Sequence, residues 1–151
     1  EKRTNMIIEK AISENKNEKN KIIIFAGSLD SANHIDKILK MEGIICALVT
    51  GETNLSERRN NIELFKDSTS GLNIIINYGV LTTGFDAPKA NIAIIGRPTQ
   101  SVTLYSQMIG RVMRGTKAGG NKRCKVVTVK DPLYGFRDMS ESFTYWEELW
   151  D

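Results

Sequence analysis

Five short apolar runs, separated by segments of helical periodicity, constrain this chain more than any other feature. They are Ile22 to Phe25, Ile44 to Val49, Leu72 to Ile76, Ile92 to Ile95 and Lys125 to Val129. Each is too short to make a stable helix, and isoleucine and valine, whose branching suits a pleated surface, dominate them. Runs that are apolar at nearly every position belong to strands covered on both faces, the habit of parallel sheets joined by helices. Strand and helix in alternation therefore predict an α/β domain with a mostly parallel central sheet flanked by helices.

The segments between the runs carry helix signals. Residues from about Asn5 to Asn15 are predicted helical and lead into the charged linker Lys16 to Lys21. Ser28 is a suitable N-cap for a helix bearing Ala32, Ile35, Ile38 and Leu39, which Gly43 would close. Asn54, followed three residues later by Glu57, resembles a capping box and opens a helix with Ile62, Leu64 and Phe65 on it. A further helix is expected from Ser101 to Met113, between the last two strands. Ser68 to Gly71 and Lys117 to Lys122 have the composition of surface loops. There is no internal repeat.

Two segments carry chemistry. In Gln-Met-Ile-Gly-Arg-Val-Met-Arg, Gln107, Gly110, Arg111 and Arg114 fall at i, i+3, i+4 and i+7, one face of a helix. A glycine on that stripe permits close approach, and the arginine fork fits phosphate oxygens bidentately. Taken alone, the pattern would describe a solvated helix face. The second segment, Leu81-Thr82-Thr83-Gly84-Phe85-Asp86-Ala87-Pro88, follows the run Leu72 to Ile76. Small polar residues, a glycine and an acid after a buried strand bring backbone N–H groups and a carboxylate to the carboxyl edge of a sheet, where open α/β sheets bind ligands. Gly84 allows close backbone approach, and Asp86 can accept hydrogen bonds from a ribose.

With Phe25-Ala26-Gly27-Ser28 at the end of the first strand, these segments resemble motifs IV, V and VI of superfamily 2 helicases, in that order. The likeness is to the C-terminal motor lobe and covers about Lys21 to Val129. The Thr-Thr-Gly-Phe-Asp-Ala-Pro variant is similar to that of restriction-enzyme motor subunits and related DNA-repair helicases. The resemblance implies a three-layer RecA-like, P-loop NTPase-like fold. It implies an ATP-dependent DNA helicase or translocase, with RNA as the alternative substrate.

Carried over residue by residue, the resemblance makes Arg111 and Arg114 ligands that reach across an interlobe cleft to the γ-phosphate, Arg114 being the arginine finger. Such a finger stabilises the phosphoryl-transfer transition state. Gln107 would couple nucleotide state to lobe closure, and Gly84, Asp86 and Gly110 would lie at the ATP. Gly27 and Ser28, at a helix N-terminus, and Thr50 and Gly51, after a strand, are candidates for nucleic-acid backbone contact together with Thr83. For the first two pairs a plain helix cap or turn explains the residues as well. Many relatives carry threonine six residues before the motif V glycine. Here Tyr78 stands there, after Asn77, which leaves base stacking in place of a phosphate contact.

Other classes fit less well. The chain has no Gly-x-x-x-x-Gly-Lys-Ser/Thr phosphate loop and no strand ending in paired acids. In superfamily 2 those parts lie on the first lobe. The expectation is half of an active site, with ATP completed and its Mg2+ held by an N-terminal RecA-like lobe of the same protein. A dinucleotide-binding enzyme would need Gly-x-Gly-x-x-Gly after the first strand, where this chain has Phe-Ala-Gly-Ser-Leu-Asp. A non-catalytic interaction module that keeps the motor fold would have no need of both arginines.

Composition agrees with one globular domain. The 151 residues are 40% hydrophobic and 26% charged, with a net charge of +3. That charge permits nucleic-acid contact without requiring it. No apolar stretch approaches the ~20 residues needed to span a bilayer, so a cytoplasmic chain with no membrane partner is expected. Cys46 and Cys124 are isolated beside apolar runs and read as core thiols, and His34 is alone on a helix, so no metal site is expected. The opening Glu1, with no initiator methionine, suggests a piece of a longer protein.

Three parts are expected: residues 1–20, a helix and linker from the preceding region; residues 21–130, the motor lobe; and residues 131–151, a C-terminal aromatic extension. In the extension Met139, Phe143, Trp146 and Trp150 fall at i, i+4, i+7 and i+11, which predicts a helix over Asp138–Trp150.

Overall fold

The computed structural model describes residues 2–79, 90–96, 123–129 and 143–149. Three helices and six strands occur among them: α1 (Lys2–Asn15), β1 (Ile22–Phe25), α2 (Leu29–Met41), β2 (Cys46–Thr50), α3 (Leu55–Lys66), β3 (Ile74–Tyr78), β4 (Ile92–Ile95), β5 (Arg123–Val129) and β6 (Phe143–Leu149). The strands form one sheet in the order β2-β3-β1-β4-β5-β6. The first five strands are parallel, and β6 joins the β5 side antiparallel.

In register, Ile24 lies between Ile76 and Ile94, and Ile22 between Ile74 and Ile92. These six isoleucines point to one face, where they pack with Met6, Ile7, Ile8 and Ala11 of α1 and Ala32, Ile35 and Leu39 of α2. The alternate residues Ile23, Phe25, Ile75, Ala93 and Ile95 must point to the other face, and they too are buried. The connection β1–α2–β2 runs outward along the sheet and β2–α3–β3 runs back. Right-handed crossovers therefore put α2 and α3 on opposite faces. Phe65 and Ile62, both buried, are the side chains α3 contributes to the second face. A sheet covered on both sides explains why its strands read as unbroken apolar runs.

The ends of the helices follow their side chains. Ser28 Oγ accepts from the Ser31 N–H at 3.0 Å, and Asn54 Oδ1 accepts from the Glu57 N–H at 2.8 Å. Gly43 ends α2 at a φ of 78°, a backbone state that glycine adopts without strain. There the Gly43 and Ile44 N–H groups bond to the carbonyls of Lys40 and Leu39, closing the last turn. This closure delays the next strand to Cys46, two residues after the expected start at Ile44.

Two further sequence expectations change. Lys21, assigned to a charged linker, is 6% exposed. Its Nζ donates to the carbonyls of Leu72 at 2.9 Å and Asp67 at 3.2 Å. The Leu72 carbonyl is thereby held outside the sheet ladder, and β3 begins at Ile74. Burial pushes the Lys21 pKa below its ordinary value, and the Asp67 carboxylate opposes that shift.

The second correction concerns the tail, where the expected helix is replaced over Phe143–Leu149 by β6. Its residues pair with β5 from Arg123↔Leu149 to Val129↔Phe143. Phe, Thr, Tyr and Trp in succession favour extended backbone, and β5 offers a free row of N–H and C=O groups. Pairing along that whole row outweighs an apolar spacing that would also suit a helix.

Helix α1 is part of the lobe core through the four buried residues that it places against the sheet. Its Glu14 Oε1 also lies 3.3 Å from both Lys10 Nζ and Lys125 Nζ, tying it to β5. No helix among the described residues is long and apolar enough to cross a membrane.

Candidate nucleic-acid interface

Because β1, β2, β3 and β4 run in one direction, their carboxyl ends share one edge of the sheet. The ladder continues past the strands: the Ala26 N–H donates to the Asn77 carbonyl at 3.0 Å, and the Gly96 N–H to the Phe25 carbonyl at 2.7 Å. Gly27-Ser28 after β1, Thr50-Gly51 at the end of β2 and Tyr78 at the end of β3 are thus brought to the same side. These are the sequence-derived candidates that the described residues hold. Thr83, Gly84, Asp86, Gln107, Gly110, Arg111 and Arg114 lie outside the described residues, as does the helix expected over Ser101–Met113.

Gly27 and Ser28 are exposed at the start of α2. Ser28 is committed as a cap: its hydroxyl takes the Ser31 N–H and its carbonyl takes the Ala32 N–H. The groups left to face a ligand are the amides of the first helical residues, Leu29 and Asp30, at the positive end of the helix dipole. A contact of 3.1 Å between Thr4 Oγ1 and Ser31 Oγ fixes that first turn against α1.

Thr50 is buried, and its polar groups are engaged in the turn that follows β2. Its N–H donates to Thr53 Oγ1 at 3.0 Å, its hydroxyl accepts from the Glu52 N–H at 3.2 Å, and its carbonyl accepts from the Thr53 N–H. Gly51 is exposed, with the exposed Glu52 next to it. Tyr78 is half-buried and packs against the core shared with α1 and α2. Only part of its ring is therefore open to a stacking partner.

Two residues at this edge carry no motif in the sequence. Asn77 is 1% exposed, and neither Nδ2 nor Oδ1 has a hydrogen-bond partner among the described residues. Its register neighbours Phe25 and Val49 are apolar. The sequence signal was an amide ending the run Ile-Ile-Ile. Gly96 is the other: a Cβ there would sit 2.7 Å from Ile7 Cδ1 and 3.1 Å from the Phe25 carbonyl oxygen. The bare backbone lets α1 lie close over the end of β4.

Chemistry elsewhere is limited. The Cys46 thiol donates to Asp36, and burial, helped by the Asp36 charge, pushes its pKa up to about 12. It is a core thiol rather than a nucleophile, and His34 is exposed on α2. Among the described residues no three His, Cys, Asp or Glu side chains are grouped to hold a metal ion.

The sequence matches the family described as helicase conserved C-terminal domain over residues 3–116, a span that includes α1. It is 33% identical over 115 residues to the putative ATP-dependent helicase IRC3 of Saccharomyces cerevisiae, covering 75% of this chain and 16% of that protein. It is 30% identical over 102 residues to the pre-mRNA-processing ATP-dependent RNA helicase PRP5 of Kluyveromyces lactis, covering 68% of this chain and 12% of that protein. The chain thus spans less than a fifth of these relatives. The fold resembles the helicase domain of Hef from Pyrococcus furiosus, with a TM-score of 0.63 at 20% identity over 92% of this chain and 27% of that one. It also resembles T4 UvsW, with a TM-score of 0.64 at 23% identity over 74% of this chain and 22% of that one. A family match across most of the chain, on a parallel sheet with this carboxyl edge, makes the protein a member of the helicase conserved C-terminal domain family, with the α/β RecA-like fold of such lobes.

Proposed function

We propose that this lobe is the second half of the motor of an ATP-dependent DNA helicase or translocase that serves repair or restriction. An N-terminal RecA-like lobe of the same protein would complete its ATPase site. The reading is carried by the convergence of the β1, β2 and β3 ends on one sheet edge within a chain whose family match also spans Gly84, Asp86 and the two arginines. At that edge the α2 amides would take a nucleic-acid phosphate, and Tyr78 would offer the exposed part of its ring to a base. Arg111 and Arg114 would face the γ-phosphate, Gln107 would couple the nucleotide to closure, and Gly84, Asp86 and Gly110 would line the nucleotide. The sequence has no strand ending in paired acids, so in this reading the Mg2+ would be held by the other lobe.

RNA is the second reading, favoured by the likeness to helicases named for pre-mRNA processing. Steady-state ATPase assays of the full-length protein, with matched single-stranded DNA, duplex DNA and RNA, separate the two. Arg114→Ala should remove nucleic-acid-stimulated turnover by about 10³-fold or more while the fold survives, and Arg114→Lys should not restore it. Near-normal turnover in Arg114→Ala would refute the finger assignment. Stimulation by RNA alone would refute the choice of DNA.

A further inference from the structure

The edge of the sheet at β2 has features that the motor reading does not use. β2 pairs with β3 on one side, and among the described residues no strand covers the other. Both backbone groups of Thr50 turn to Thr53, away from β3. Alternation along a parallel pair then sends the N–H and C=O of Leu48 and Cys46 to the same outer side. Leu48 is the one residue of β2 that is not buried. Along this edge runs a groove between α2 and α3, lined among others by Asp36, Lys40, Leu48, Glu52, Glu57 and Asn61.

Two further observations define an occupant. The exposed large hydrophobic side chains among the described residues gather on this wing: Met41 (72% exposed) and Ile45 (60%) at one end of β2 and Leu55 (56%) at the other, with Leu64 on α3. Lys40 is paired with Asp36 at 3.0 Å, while Glu52 and Glu57 have no ion pair among the described residues. The groove is therefore net acidic in a chain that is net basic. Phosphate would be repelled there. Pairing β2 with the β2 of a second copy would bring the same carboxylates together.

We propose that the open edge of β2 binds an extended, basic peptide segment by strand addition. The backbone groups of Leu48 and Cys46 would pair with the peptide main chain, Glu52 and Glu57 would take its cationic side chains, and Met41, Ile45 and Leu55 would cover its apolar ones. The groove adjoins the candidate nucleic-acid edge at Thr50 and Glu52, but the proposal does not rest on that reading, and peptide binding measured without nucleic acid tests it independently.

The test uses the full-length protein and a capped, dye-labelled peptide of about seven alternating valines and lysines, read by fluorescence anisotropy. Saturable binding is expected. An otherwise identical peptide, N-methylated at alternate residues along one edge, should bind at least ~10-fold more weakly, because one row of its donors is gone while its charge is kept. The double variant Glu52→Lys, Glu57→Lys, with melting temperature as the folding control, should lose at least ~10-fold in affinity for the lysine peptide and gain binding of a valine–glutamate peptide. No binding of the lysine peptide, or equal binding of the methylated one, overturns the proposal. So does binding that the charge reversal leaves unchanged, or a reversal that alters only self-association.

Discussion

The ammonium of Lys21 lies 5.5 Å from the centroid of the Phe65 ring, and it donates to the Asp67 and Leu72 carbonyls that flank the exit of α3. The contact sits at the amino end of the sheet, opposite the edge with the functional candidates. It joins the start of β1 to the end of α3 through a cation that burial makes costly.

Lys21→Met keeps much of the stem volume but leaves two carbonyls without their donor. Hydrogen bonds from a charged donor contribute about 1.5–3 kcal/mol, so a loss of about 2 kcal/mol in unfolding free energy is expected. For a chain of this size that is a fall of several degrees in melting temperature, on the order of 4–8 °C, measured by calorimetry. ATPase constants of the full-length protein should change little at temperatures where the lobe stays folded. An unchanged melting temperature would mean that water serves those carbonyls equally well.

Gly96→Ala should destabilise the lobe, because its Cβ meets Ile7 Cδ1 and the fixed carbonyl of Phe25. Overpacking of this kind costs about 1–3 kcal/mol. Ile7→Val removes the nearer atom, so Gly96→Ala combined with Ile7→Val should cost less than the sum of the single variants. A denaturant-based double-mutant cycle reads this coupling directly. Strict additivity would show that Ile7 and Gly96 do not touch in solution.

Asn77→Val should raise stability. Two buried polar atoms with no partner among the described residues are replaced by a branched apolar side chain in a strand, and each such atom costs about 1–3 kcal/mol where nothing satisfies it. The expected gain is about 1–2 kcal/mol in urea unfolding of the lobe. A loss instead would show that the amide is satisfied in solution by water or by residues outside those described.

Cys46 should resist alkylation. A thiol pushed up to about 12 is almost wholly protonated at pH 8, and only the thiolate reacts. Relative to a free thiol of ordinary pKa, the reactive fraction falls by roughly 10³-fold. Iodoacetamide labelling followed by peptide mapping should find Cys46 unmodified in the native protein and modified in denaturant. Rapid labelling without denaturant would mean that the end of α2 opens readily.

Much of the fold could be read from the chain itself. The Ile22 to Phe25 and Ile92 to Ile95 strands begin and end where their apolar runs do, because a strand buried on both faces is apolar at nearly every position. Ser28 and Asn54 announced their helices, because a cap is a local bond between a side chain and an amide three residues on. The lobe type was legible too, because Phe25–Ser28, Thr82–Pro88 and Gln107–Arg114 together, and in that order, resemble the motifs of superfamily 2 helicases, although the last spacing taken alone describes a solvated helix face.

What the sequence could not show depended on partners distant along the chain. The aromatic spacing of residues 139–150 suits a helix, and only the free backbone row of β5 decides for a strand over Phe143–Leu149. Lys21 looks like linker until the chain brings the Leu72 carbonyl, the Asp67 carbonyl and Phe65 around it. Asn77 and Gly96 carry no motif, since one matters through the apolar side chains beside it and the other through Ile7 on a separate helix. Local bonds and periodicity wrote the strands, caps and motif spacing into the sequence. Burial and long-range pairing set which charge is enclosed and which glycine is required, and those are properties of the packed sheet alone.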